Sequence, residues 1–231
     1  AHIVAKDTYT IATERKDSYR LQAEALAQLC GTLGKGQKIL ILNNPCNPTG
    51  AVYPDQELQA LAKVCREEEV IVISDEIYSL IDFRKEKFSS IGRYLPESTV
   101  VTGGMSKAFS AGGWRLGLAF VPDAMSDMIK PWNALISETF SCVNAPVQYA
   151  ALEAFSQFEA LRPQIQRFTE IHSVAGSYLF KRFMQMDLNC PEPEGAFYLF
   201  PDFQNHREIL KERRITKCHE LVDDLLNARQ V

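Results

Sequence analysis

Apolar residues return every three to four positions over residues 17–30, DSYRLQAEALAQLC, and place Leu21, Ala25, Leu26 and Leu29 on one face. That period predicts a helix, with Gly31 just beyond it as a stop signal. The pattern then changes to short unbroken apolar runs. KILILNNP (38–45) ends in polar residues and a proline, which predicts a buried strand opening into a loop. Helical period returns over DQELQALAKVCREEE (55–69), with a cap expected near Asp55. VIVISDE (70–76), STVVTGG (98–104) and LGLAFVP (116–122) predict three further strands. Strands separated by helices imply βαβ crossovers, hence an α/β fold whose mostly parallel sheet is sandwiched by helices.

From about Pro146 the character is helical and amphipathic. APVQYAALEAF is followed by a long helical stretch over 157–187, interrupted only at Pro163 and Gly176. A helix of that length suits a link between two domains. GAFYLFPDF (195–203) then predicts a strand, and a charged helix is expected from about Arg207.

Composition narrows the function classes. Of 231 residues, 46% are hydrophobic and 23% charged, as in an ordinary globular protein. The net charge of −4 lacks the basic excess that nucleic acid or an anionic membrane selects. No apolar run approaches the roughly 20 residues that span a bilayer. The six cysteines (Cys30, Cys46, Cys65, Cys142, Cys190, Cys218) form no C-x-x-C pair and no zinc spacing with the four histidines. They read as free thiols in a reducing compartment, so a cytoplasmic protein without a metal site is expected.

In parallel sheets, ligands collect beyond the carboxyl ends of the strands, where NNPCNPTG, SDEIY and GGMSK are expected to lie. Asp75 ends an apolar strand, where an unpaired carboxylate is costly. It can be a helix cap or an arginine partner, or it can balance a buried cation. Tyr78 can offer its phenol to the same ligand or pack as a core aromatic. Asn47 lies in a loop stiffened by two prolines and a glycine, which suits a turn and equally suits a rigidly held amide. Lys107 follows a strand and is flanked by Gly103, Gly104, Ala108 and Ser110, which leave room for a planar group. A desolvated lysine becomes a nucleophile able to form a Schiff base. Ser106 adds a hydroxyl, and Arg115 adds a fork of donors suited to phosphate. Together these groups describe a pocket for pyridoxal 5′-phosphate (PLP), with the carboxylate paired to the protonated ring nitrogen.

The ordered set NNPCNPTG, SDEIY and SKAFSAGGWRLG closely resembles the class I/II aminotransferases of PLP fold type I. Asn47 to Asp75 is 28 residues, Asp75 to Tyr78 three, and Lys107 to Arg115 eight. EGAFYLFPDF (194–203) also resembles that family's first small-domain strand, so the match spans roughly residues 36–203. The resemblance implies that Lys107 carries PLP as a Schiff base and moves protons during catalysis. It implies that Asp75 pairs with the pyridine nitrogen, that Asn47 and Tyr78 bond the phenolic oxygen, and that Arg115 and Ser106 hold the phosphate. One departure stands out: many members carry a serine where this chain has Gly104.

The implied organisation is a partial PLP-binding large domain over 1–155, an interdomain helical segment over 156–186 and a partial α+β small domain over 187–231. Amino acids and 2-oxo acids are the implied substrates, and a homodimer the implied assembly. Only about 46 residues precede Asn47, where the family has over a hundred, and the family's terminal substrate-binding arginine falls beyond this chain. A piece truncated at both ends, unable to transaminate alone, is therefore expected. The same cofactor residues occur in related C–S lyases, in aminocyclopropane-carboxylate synthases and in non-catalytic PLP-binding regulators, and these readings stay open.

Overall fold

Four strands form one sheet in the order β1-β2-β3-β4: β1 (Lys38–Asn43), β2 (Val70–Asp75), β3 (Thr99–Gly104) and β4 (Gly117–Phe120). A computed structural model of the chain describes residues 7–229. The terminal residues 1–6 and 230–231, on which the expected truncation partly rests, lie outside the described residues. β1, β2 and β3 run parallel, and β4 returns antiparallel to β3. The fold is α/β.

Consecutive parallel strands joined by crossovers of one hand place both connections on the same face of the sheet. The core shows this. Leu58, Leu61 and Cys65 of α2 (Asp55–Glu67), which connects β1 to β2, share one buried cluster with Ile91 and Leu95 from the β2–β3 connection. Leu26 and Cys30 of α1 (Ala23–Thr32) join the same cluster, against Leu42, Val70 and Val72 of the sheet. The opposite face was expected to be covered as well. Among the described residues it is covered only in part: Ile39 and Ile41 of β1 are 58% and 63% exposed and their register partners Ile71 and Ile73 half-buried, whereas Val100 of β3, the partner of Ile73, is buried.

Several boundaries move for identifiable reasons. The first helix starts at Ala23 rather than residue 17, because residues 18–22 have other bonding partners. Ser18 and Tyr19 adopt left-handed backbone (φ 53° and 58°), and the Leu21 N–H donates to the Tyr53 hydroxyl at 2.6 Å. Arg20 reaches Glu57 at 2.9 Å and Glu194 at 3.3 Å. Gly31 does not stop this helix, which runs one residue further to Thr32. Asp55 is the first helical residue of α2 rather than its cap; Pro54 holds the cap position, without a side-chain bond.

Beyond the sheet lie α3 (Ile129–Thr139), α4 (Ala145–Ser156) and α5 (Phe158–Gln185). Neither Pro163 nor Gly176 interrupts α5. Pro163 lies in the second turn, where its missing N–H removes a single ladder bond. At Gly176 a side chain would stand 3.2 Å from Pro193, so the glycine admits the segment leading into residue 195.

That segment is not the strand expected over 195–203. Its ladder contacts reduce to isolated bridges, Asp82 with Gly195 and Asn189 with Asp202. Ala196 has φ 56°, which an extended strand cannot hold, and its N–H donates instead to Ile81 O at 2.8 Å. The charged helix from Arg207 divides into α6 (Arg207–Glu212) and α7 (Cys218–Arg229), since Arg214 turns to φ 61°. The Glu220 carboxylate caps α7 by accepting the N–H groups of Thr216 and Lys217 at 2.7 and 2.9 Å. No helix among the described residues is long and apolar enough to cross a membrane.

The uneven cover of the sheet sets a stability contrast. Leu61→Ala, at a fully buried position, should cost about 2–5 kcal/mol in denaturant unfolding. Ile41→Ala, on the open face, should change stability by no more than about 0.5 kcal/mol. Equal losses at the two positions would mean that the open face is buried in solution.

Candidate active site

Asn43, Asp75 and Thr102 are register partners across β1, β2 and β3, so β1 and β2 end level with each other beside Thr102, and β3 runs on two residues to Gly104. The edge is tied by backbone and amide bonds. Asp75 O accepts from both the Asn43 side-chain amide and the Asn44 N–H, each at 3.0 Å. The Asn43 side-chain oxygen accepts the Asn47 N–H at 2.6 Å, so one asparagine links the 44–50 loop to β2. Buried Asn44 bonds Ser89 O at 3.4 Å and the Tyr53 N–H at 3.1 Å. The loop is thereby fixed while Asn47 itself is exposed.

Asp75 is half-buried, and among the described residues its carboxylate accepts one bond, from the Ile77 N–H at 3.3 Å. Glu76, pointing the other way along the strand, is 8% exposed. It accepts hydroxyl bonds from Ser74 at 2.8 Å and from Ser90, and its N–H donates to Thr102 O at 2.9 Å. Burial is the main reason the Glu76 carboxyl is pushed above the usual range; the two serines oppose this and Asp75 adds to it.

The connection from β3 to β4 carries Ser106, Lys107 and Arg115. Gly104 and Gly117 face each other in the antiparallel register. A Cβ on Gly104, at φ 155°, would come within 2.7 Å of Leu116 O, so glycine lets the two strands close at this point. This accounts for the departure noted at position 104: a serine there would force β4 outward. Lys107 sits in a turn closed by the Ser110 N–H to Lys107 O at 2.9 Å. Its ammonium lies 5.3 Å from the ring centre of Tyr78 and 5.6 Å from that of Phe197. Among the described residues no carboxylate pairs with it. Arg115 is exposed, at φ 55°, and donates to Gly112 O at 2.8 Å.

Of the six residues expected to form the site, direct contact joins Tyr78 and Lys107. Asn47 and Asp75 are joined through Asn43. Ser106 and Arg115 share the β3–β4 connection with Lys107 and make no hydrogen bond to it among the described residues. The donor set suits an anionic aromatic phosphate. An ammonium without an anion, a carboxylate with one bond, an exposed amide and a guanidinium with one backbone partner all retain bonding capacity, and Gly103 leaves open space beside them.

The family model for aminotransferase class I and II matches residues 4–231. The chain belongs to that family. The aspartate aminotransferase of Bacillus subtilis (strain 168) is 32% identical over 208 residues, covering 88% of this chain and 51% of that protein. The aspartate/prephenate aminotransferase of Thermus thermophilus is 36% identical over 165 residues, covering 71% and 42%. Among solved structures, a Thermus thermophilus aspartate aminotransferase with maleate aligns at a TM-score of 0.76 and 31% identity, over 89% of this chain and 54% of the other. An aromatic aminotransferase from Pyrococcus horikoshii aligns at 0.75 and 30%, over 89% and 56%. The chain spans about half the length of the curated relatives it matches.

Three residues of this aminotransferase chain escaped the sequence reading. Asn43 was visible only as a polar residue ending an apolar strand. Tyr198 and Phe197 lie about 90 residues beyond Lys107, with no spacing to connect them to it. Tyr198 nevertheless places its hydroxyl 2.7 Å from that of Tyr78. Burial, and then the bond to Tyr78, push the Tyr198 phenol up, while Lys107 draws it down.

Glu76 gives a pH test. A raised carboxyl contributes stability that is complete below the ordinary glutamate range and is lost as pH rises through its folded value. Glu76→Gln keeps an acceptor for Ser74 and Ser90 and removes the charge. The melting temperature of the variant relative to the parent should therefore rise as pH climbs from acid towards neutral. A constant difference across that span would show that Glu76 titrates normally.

Proposed function

We propose that the whole protein is a PLP-dependent aminotransferase moving an amino group between an amino acid and a 2-oxo acid. The observation that carries the reading is Lys107: an ammonium with no carboxylate partner among the described residues, lying over two adjoining aromatic rings at the carboxyl edge of a parallel sheet. When bound, PLP supplies an aldehyde that condenses with amines and a ring that takes up electrons from the substrate carbon. Lys107 is the amine that holds it and the group that carries the proton. Asp75 keeps a proton on the ring nitrogen. Asn47 and Tyr78 donate to the phenolic oxygen, and Arg115 and Ser106 hold the phosphate.

The chain divides, in this reading, into a large-domain part over 1–155, a helical link over 156–186 and a small-domain part over 187–231. The 28-residue helix α5 supports the link. Homodimeric assembly is part of the reading, supported by apolar side chains open to solvent on α4 and α5, among them Tyr149, Leu152, Val174 and Tyr178. A cytoplasmic location is supported by six free cysteines.

Borohydride treatment of the PLP-loaded chain should fix the cofactor on the peptide containing Lys107, and Lys107→Ala should abolish the labelling. Labelling of a different lysine would remove the central assignment. In the whole protein, Asp75→Asn should lower turnover about 10²–10³-fold, the effect of one preorganised electrostatic contact in a dry site, with Asp75→Glu less affected. A near-normal rate in the Asn variant would reduce Asp75 to a backbone cap.

A further inference from the structure

Tyr78 is 2% exposed, and the hydroxyl bond it makes among the described residues is the 2.7 Å contact with Tyr198. A phenol has one proton and can accept as well as donate. Two phenols in contact therefore share a single proton along the line between them. If Tyr78 donates to Tyr198, it can only accept from a ligand. If Tyr198 donates to Tyr78, the Tyr78 proton is free to point at a ligand oxygen. The direction of this one bond decides what Tyr78 can do.

The segment carrying Tyr198 is seated rigidly over the site. The N–H groups of Glu194 and Gly195 donate to Gly50 O at 2.8 and 2.9 Å, and the Phe83 N–H donates to Glu194 O at 2.8 Å. A Cβ on Gly195 would stand 2.8 Å from Ile81 O and 2.9 Å from Val52, so the backbone closes to contact there. Gly50, at φ 71°, lies against Tyr198 O, which sets the segment over the loop holding Asn47. The Tyr198 ring packs edge-on to Tyr78 at 5.7 Å and beside Phe197 at 4.9 Å. A side chain held this firmly can orient its neighbour.

We propose that Tyr198 is a positioning residue that donates its phenolic proton to Tyr78, so that Tyr78 presents its own proton to an anionic phenolate oxygen on the ligand. The inference rests on the PLP reading above and goes beyond it by assigning a role to a residue from the segment after α5. An anionic acceptor draws the Tyr78 proton outward, and the donor chain from Tyr198 through Tyr78 is strengthened because successive hydrogen bonds polarise one another. Losing the first link weakens the second. The ligand oxygen then becomes more basic, and the lysine-bound cofactor keeps its proton to higher pH.

The test is a spectrophotometric pH titration of the whole protein loaded with PLP, as parent, Tyr198→Phe, Tyr78→Phe and the double variant. Tyr198→Phe keeps the ring and its packing, and a thermal melt checks that the fold is unchanged. The expected result is a rise in the apparent proton affinity of the bound chromophore by roughly threefold in Tyr198→Phe and by more in Tyr78→Phe. The double variant should match Tyr78→Phe alone, because Tyr198 acts through Tyr78. An unchanged titration in Tyr198→Phe, or an additive shift in the double variant, overturns the proposal and leaves the Lys107 assignment standing. Absence of a lysine-bound chromophore in the parent overturns the PLP reading and this inference with it.

Discussion

The shared register of three parallel strands is the constraint on which the chemistry of this chain depends. Asn43, Asp75 and Thr102 stand side by side because the β1–β2 and β2–β3 registers align them. A slip of one residue in β2 would exchange Asp75 for Glu76 on the ligand side, since successive side chains point to opposite faces. Several bonds guard against that slip. The Asp75 carbonyl takes two donors from the 43–44 corner, and the Glu76 N–H is fixed to β3. Glu76 itself is held among serines on the far side. The two adjacent carboxylates have opposite fates, one half-exposed with bonding capacity to spare and one buried and satisfied.

The second constraint is closure of β3 on β4. Gly104 and Gly117 permit an approach that any side chain at 104 would block. The chain reverses between them and presents Ser106, Lys107 and Arg115 on one short connection beyond the strand ends. Lys107 is steadied by ring faces rather than by an acid. Such contacts contribute about 0.5–2 kcal/mol depending on exposure, less than a buried ion pair would withhold from a reacting amine.

The sheet is unevenly covered among the described residues, and strand order accounts for its well-covered face. Sequential parallel strands put α2 and the β2–β3 connection on one face, where Leu58, Leu61, Ile91 and Leu95 bury completely or nearly so. Ile39 and Ile41 on the other face carry an equally apolar pattern and stay exposed. Hydrophobic periodicity reports which residues suit burial; it does not report whether anything is present to bury them.

The sequence by itself determined the α/β class, the four strands, the long helix α5 and the grouping of Asn47, Asp75, Tyr78, Lys107 and Arg115 at one edge. These depend on local period and on chain order, which any parallel sheet converts into position at the carboxyl end. It also carried the family resemblance, because the spacings 47–75, 75–78 and 107–115 lie within continuous stretches. Tertiary structure decided the rest. It shortened the first helix by engaging Arg20 and Leu21 with residues from α2, Tyr53 and Glu194. It turned 195–203 from a strand into a strap, and it brought Tyr198 to Tyr78 across 120 residues. Contacts made at such separation leave no period in the sequence, because each depends on one pair of side chains rather than on a repeat.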